Sequence, residues 1–220
     1  MDIAQNIKEA RERIGHAALR VGRLPDDILI VAVTKNVEES AIQRAIEADI
    51  KNFGENRVQE AERKIMHLSS HGLRPAWHMI GHLQRNKVQT ALKIFDIIHS
   101  IDSRRLAQEV NAQAERPVAV LLQVNVSGEE TKGGFATNEL DKAVAEISRL
   151  PNLSIRGLMT IAPLVDNPEE VRPVFRKLRE LRDSFGMEHL SMGMSDDFEI
   201  AIEEGATMVR LGRIIFGERR

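Results

Sequence analysis

The chain has 220 residues, with 31 lysines and arginines against 33 aspartates and glutamates and a formal net charge of −2. That balance leaves no footprint for nucleic acid or a membrane surface, and the length suffices for one domain with a large core. The absence of cysteine excludes disulfides, thiolate catalysis and zinc–thiolate sites.

Residues 1–9 carry no apolar signal core, and no stretch is long enough to span a bilayer. The sequence therefore predicts a soluble, cytoplasmic protein. Ile3, Ile7, Ala10, Ile14, Ala17 and Val21 recur at helical spacing, which predicts an amphipathic covering helix ahead of the first strand. Ile28 to Val33 are six consecutive apolar residues rich in β-branched types. They read as a strand buried on both faces. Lys35 stands just past its carboxyl end. Asn36, with Glu39 three residues on, gives a capping-box-like start to a helix over 37–48.

The pattern then repeats. Strands are predicted at 51–55, 76–81, 95–101, 118–126, 153–160, 189–194 and 207–211. Helices follow at 57–68, 84–92, 103–114, 137–150, 167–185 and 195–204, with Ser103, Thr137 or Asn138, and Asn167 as caps. A glycine-rich, charged loop covers 127–134. Eight strands alternating strictly with helices predict a (β/α)8 TIM barrel over a single domain, 1–220. An open doubly wound sheet is the alternative, but no Gly-x-Gly-x-x-Gly follows the first strand.

In a barrel the carboxyl ends of all strands face one mouth. Position alone leaves two readings of Lys35: a solvated charge, or an amine that forms a Schiff base with an aldehyde. Ser195 reads as an N-cap before Asp196-Asp197-Phe198, or as a hydroxyl offered to an anion. Arg210 closes the last strand, and the turn at Gly212 and Arg213 can offer backbone N–H groups to phosphate. The loops after the seventh and eighth strands are the usual phosphate site of this barrel, and the first strand closes against the eighth. A phosphorylated aldehyde would bridge Lys35 and that turn, a description that fits pyridoxal 5′-phosphate (PLP). His78 and His82 lie four apart but not on a helix, so a metal reading is discounted and His78 reads as a core or pocket histidine. Met194 suits a pocket wall.

The ordered motifs are Val31-Ala32-Val33-Thr34-Lys35, Phe53-Gly54-Glu55-Asn56, Trp77-His78-Met79-Ile80-Gly81-His82, Gly157-Leu158-Met159, Met192-Gly193-Met194-Ser195-Asp196-Asp197 and Val209-Arg210-Leu211-Gly212-Arg213. With them, essentially the whole chain resembles the pyridoxal phosphate homeostasis protein family, single-domain relatives of the fold-type III alanine racemase barrel. The resemblance implies that Lys35 holds PLP as an internal aldimine and that Asn56 lines the pocket beside the ring. It implies that Arg210 faces the pyridine nitrogen, and that Ser195 and the backbone N–H groups of Gly212 and Arg213 hold the phosphate. Many relatives carry a small hydroxyl residue where this chain has Arg213, and serine where it has Thr34.

It further implies a non-catalytic carrier that buffers PLP and contributes to vitamin B6 and amino-acid balance. PLP-dependent apo-enzymes are the expected recipients, and a monomer or weak dimer the expected state. The racemase mechanism needs a tyrosine opposite the lysine, and this chain has no tyrosine. Two alternatives remain: a weak amino-acid racemase with another proton donor such as His78, and a cofactor-free aldolase using Lys35. Lys132, in the loop after the fifth strand, is a candidate transient acceptor of PLP, on the expectation that this loop is mobile.

Overall fold

The first strand shows how the chain builds its barrel. Alternate residues of β1 (Leu29–Val33) belong to two separate apolar clusters. Leu29, Val31 and Val33 pack inside with Ile80, Ile97, Leu121, Met159 and Met208. Ile30 and Ala32 pack outside, in the larger cluster between strands and helices. The period of two that sends successive side chains to opposite faces explains why the run is apolar throughout.

The computed structural model describes residues 2–129 and 131–218. The remaining strands are β2 (Asn52–Glu55), β3 (Ala76–Met79), β4 (Ile97–Ile101), β5 (Val118–Asn125), β6 (Phe135–Ala136), β7 (Leu153–Met159), β8 (His189–Ser191) and β9 (Met208–Leu211). All pair in parallel, and β1 joins β9 while β4 joins β5. Eight of them thus form a closed (β/α)8 TIM barrel. The two-residue β6, unforeseen in the sequence, lies outside the ring and pairs only with the end of β5. The helices are α1 (Ile3–Arg20), α2 (Glu39–Glu47), α3 (Val58–Ser70), α4 (Val88–Ile94), α5 (Arg104–Gln113), α6 (Leu140–Ile147), α7 (Arg172–Ser184), α8 (Phe198–Glu203) and α9 (Arg213–Phe216). Among the described residues no helix is long and apolar enough to cross a membrane.

α1 buries the predicted stripe from Ile3 to Ala17 and rests on α8, α9 and α2. Asp2 caps it by accepting from the Gln5 N–H at 3.1 Å. Ser103 caps α5 as expected, and Asn167 caps the short 3-10 turn that leads into α7. Three expectations at helix starts fail. Thr137 and Asn138 lie in a 3-10 turn and do not cap α6. Asn36 does not cap α2, because it sits in a left-handed turn with φ +56° ahead of a helix that begins only at Glu39. Ser195 does not cap α8. That helix begins at Phe198, and the Asp197 carboxylate accepts instead from the Met194 N–H at 2.6 Å.

Candidate functional site at the barrel mouth

Lys35 continues the inward set Leu29-Val31-Val33, two residues past the strand's end. It is half-buried, in a turn whose next residue is the left-handed Asn36. Asparagine tolerates that conformation better than most residues. The turn thus halts the strand and leaves Lys35 at the rim.

A cavity of about 570 Å³ opens beside it. Lys35, Asn56, Met194, Ser195, Arg210, Gly212 and Arg213 all line it. Seven of the eight residues singled out in the sequence therefore meet in one place, from the ends of β1, β2, β8 and β9. The Arg213 side chain is half-exposed and pairs with Asp196, and Arg213 is the first residue of α9. The first-turn amides of a helix have no acceptor within the helix.

Asn56 is held by a glycine. A Cβ on Gly81 would lie 2.4 Å from the Asn56 carbonyl oxygen and 2.6 Å from its Cα. Neither backbone atom can swing aside as a side chain can. Gly81→Ala is expected to displace Asn56 and weaken ligand binding at least tenfold. Equilibrium titration of the folded variant checks this, and wild-type affinity would show that the contact is tolerated.

His78 is the eighth residue, and the structure moves it. It shares the inward face of β3 with Ile80 but lies deeper, is only 4 % exposed and lines neither cavity at the mouth. Instead it belongs to a buried chain of hydrogen bonds that crosses the barrel interior. Arg210 Nη1 donates to the Ser191 hydroxyl at 2.8 Å, and Ser191 Oγ lies 2.9 Å from His99 Nδ1. His99 Nε2 lies 2.9 Å from His78 Nδ1, and His78 Nε2 lies 3.1 Å from Asn52 Oδ1. Asn52 Oδ1 can only accept, which places a proton on His78 Nε2. With each ring carrying a single proton, the His99 Nε2–H goes to His78 Nδ1 and the serine proton to His99 Nδ1, and Ser191 Oγ keeps its lone pairs for Arg210. Both imidazoles are neutral in this arrangement. Burial, followed by the nearby His189, pushes His78 down to about 4. Burial, followed by His78 and Arg210, holds His99 well below the ordinary value.

Arg210 also donates to the Ser191 carbonyl and, through Nη2, to the Thr160 carbonyl, each at 2.8 Å. Among the described residues it has no ion-pair partner. Burial lowers its pKa to about 10, and so it remains a cation at neutral pH.

A second, more polar lobe of about 790 Å³ shares Lys35 and Asn56 with the first. His82 and Asp102 line it, with His82 Nδ1 2.9 Å from the carboxylate. The loop after β5 borders this lobe through Thr131 and Gly133. Glu130 of that loop lies outside the described residues. Within the loop, Asn125 Nδ2 donates to the Glu129 and Lys132 carbonyls, and Gln123 Nε2 to the Gly133 carbonyl. Lys132 pairs with Glu129 and lines neither lobe. A further cavity of about 480 Å³ lies at the amino ends of β4 and β5, away from Lys35.

Three residues of consequence, His99, Ser191 and Lys64, are not among those singled out in the sequence. His99 and Ser191 lie on barrel strands whose inward parity was available but unused. Lys64 and Glu55 form a buried ion pair at 2.7 Å beneath Lys35. A lysine between Ala61 and Leu68 on the buried stripe of α3 was a legible signal.

Comparison with known proteins bears on the family and the fold. Residues 2–220 match the alanine racemase N-terminal domain model. The pyridoxal phosphate homeostasis protein of Aquifex aeolicus is 44 % identical, over 100 % of both chains. That of Escherichia coli is 43 % identical, over 99 % of this chain and 97 % of its own. The structure of PipY from Synechococcus elongatus with PLP bound superposes with a TM-score of 0.85 at 34 % identity, covering 98 % of this chain and 100 % of PipY. Alanine racemase from Corynebacterium glutamicum, 18 % identical with a TM-score of 0.75, shares the fold over 99 % of this chain and 61 % of its own. With full-length identity at this level and the same barrel, the chain belongs to the pyridoxal phosphate homeostasis protein family.

Proposed function

We propose that this protein binds PLP reversibly as a non-catalytic carrier, with Lys35 as the covalent anchor. The observation that carries this reading is the convergence of Lys35, Asn56, Ser195, Arg210 and the start of α9 on one cavity. The donor set fits the group: one amine at the rim, one buried cation bonded to no carboxylate, and a hydroxyl beside helix-start amides. When bound, the cofactor supplies an aldehyde that an amine captures with loss of water. Lys35 Nζ is that amine. Ser195 and the Gly212 and Arg213 amides would hold the phosphate, and Asn56 would line the pocket beside the ring. Arg210 would face the ring nitrogen, and as a permanent cation it would donate a hydrogen bond without protonating it. That limits the electron withdrawal on which amino-acid chemistry depends, and suits storage and delivery to apo-enzymes.

His78 was the proton donor considered for a racemase reading. Both of its ring nitrogens are committed within the barrel, to Asn52 and His99. That observation, with the absence of tyrosine, favours the carrier over a racemase.

The test is borohydride reduction of protein incubated with PLP, followed by intact mass and peptide mapping. One reduced phosphopyridoxyl group on Lys35 is expected, and none in Lys35→Ala. An adduct confined to another lysine would overturn the anchor. Sustained turnover of any member of an amino-acid panel would overturn the non-catalytic reading.

A further inference from the structure

The alternation that turns Lys35 towards the mouth turns Thr34 towards α3. There Lys64 is wholly buried, with three oxygens around its ammonium. Nζ donates to the Thr34 carbonyl at 2.5 Å, to Glu55 Oε1 at 2.7 Å and to Glu60 Oε1 at 2.7 Å. Three protons meet three acceptors, and none is left over. Glu60 Oε1 also accepts from the Asn36 N–H at 2.7 Å. Thr34 Oγ1 donates to Glu55 Oε1 at 2.6 Å.

The backbone is thus gripped on both sides of Lys35 by one cluster. The carbonyl of the preceding residue and the N–H of the following one both end on it, and the following residue is the left-handed Asn36. Ordinary packing does not call for this arrangement. A buried ion pair is commonly matched or bettered in stability by apolar side chains of similar volume. This one also leaves Glu55 Oε2 buried without a hydrogen-bond partner among the described residues. What it accomplishes is geometric.

We propose that Lys64, held by Glu55 and Glu60, is a positioning residue that fixes the backbone around Lys35 and so sets where the reactive amine enters the mouth. This rests on the reading of Lys35 as the cofactor anchor. It also separates the roles of two lysines that lie close together. Lys64 has no solvent access and every proton engaged, and Lys35 is held out at the rim.

The decisive variant is Lys64→Met/Glu55→Gln, which removes one formal charge of each sign and leaves Glu60 with the Asn36 N–H as its partner. PLP is added at several pH values, the reaction is quenched with borohydride at timed intervals, and the Lys35 adduct is quantified by peptide mapping. Circular dichroism reports the folded fraction. The expected result is a folded protein whose rate constant for Lys35 adduct formation falls at least tenfold, with part of the adduct moving to other lysines. Partial unfolding alone would lower the amplitude and leave the rate constant of the folded fraction unchanged. A folded double variant that reacts at the wild-type rate overturns the proposal. Should that variant not fold, Glu60→Gln and Glu60→Ala decide. Glutamine keeps an acceptor for the Asn36 N–H and should react within about twofold of wild type, and alanine should be slowed as the double variant is. Equal rates for the two overturn the proposal. A wild-type protein that gives no Lys35 adduct overturns the cofactor reading itself, which is a distinct result.

Discussion

Lys64→Met alone is expected to destabilise the fold by about 3–5 kcal/mol, the usual cost of leaving one member of a buried ion pair without its partner. Glu55 is fully buried, so solvent cannot take over the role of the lost ammonium. Lys64→Met/Glu55→Gln should recover most of that loss. The pH dependence separates this cause from simple loss of packing. Burial raises the Glu55 pKa in the folded protein, and the hydrogen bonds from Lys64 and Thr34 oppose the rise. Without Lys64 the folded-state pKa climbs further. A carboxylate whose folded pKa lies above its unfolded value binds more protons when folded, so its contribution falls as pH rises through that window. In the native protein Glu60 works the other way: although burial raises its pKa, the hydrogen bonds from Lys64 and the Asn36 N–H bring it below the ordinary value. The two slopes oppose each other. Lys64→Met removes the opposition, so the variant should gain stability on acidification from pH 7 to 5 relative to wild type. Urea unfolding at both pH values measures it. A variant equally destabilised at both would mean that Glu55 is not the stranded group.

Acid should weaken the native protein through the histidine chain. His78 titrates at about 4 when folded, against an ordinary 6.5. A histidine with a depressed folded pKa binds fewer protons than the unfolded chain does. Its contribution is complete above about pH 6.5 and is lost as pH falls towards 4. At ~1.4 kcal/mol per pH unit the loss from His78 alone reaches about 3 kcal/mol at pH 4. His99, also held neutral, acts in the same direction. Carboxylates titrate in the same range, so the informative quantity is the difference between wild type and His78→Gln. The amide of glutamine can donate and accept but does not titrate. The variant should be less stable at pH 7 and should close the gap as pH falls to 4. Parallel curves would show that His78 titrates normally and that its burial does not depress its pKa.

Much of the barrel was legible because its evidence is local. Ile28 to Val33 announce a strand covered on both faces, and the spacing of Ile3, Ile7, Ala10 and Ile14 announces a covering helix. Alternation of such elements leaves few topologies. Helix starts were less legible. Asn36 and Ser195 are good capping types in capping-like contexts, yet each lies in a turn that ends before its helix begins. Capping preference says which residue can close a helix, and the length of the preceding loop decides whether it does. Two-residue β6 carries too little pattern to be seen at all.

The mouth residues divide in the same way. Lys35, Asn56, Ser195 and Arg210 each follow or close a predicted strand, so a barrel brings them together whatever the details of packing. The determinants deeper in the fold depend on partners far away in the chain. His78 meets His99 and Asn52, Arg210 meets Ser191 and Thr160, and Lys64 meets the Thr34 carbonyl. The sequence by itself determined the periodicity, the fold that follows from it and the set of side chains at the rim, because each is a property of short segments or of where strands end. The tertiary structure alone decided that His78 joins the buried chain leading to Arg210 and lines neither cavity at the mouth, and that two glutamates and a lysine grip the turn around Lys35. A hydrogen bond needs its two atoms within about 3 Å, and only closure of the ring sets those distances.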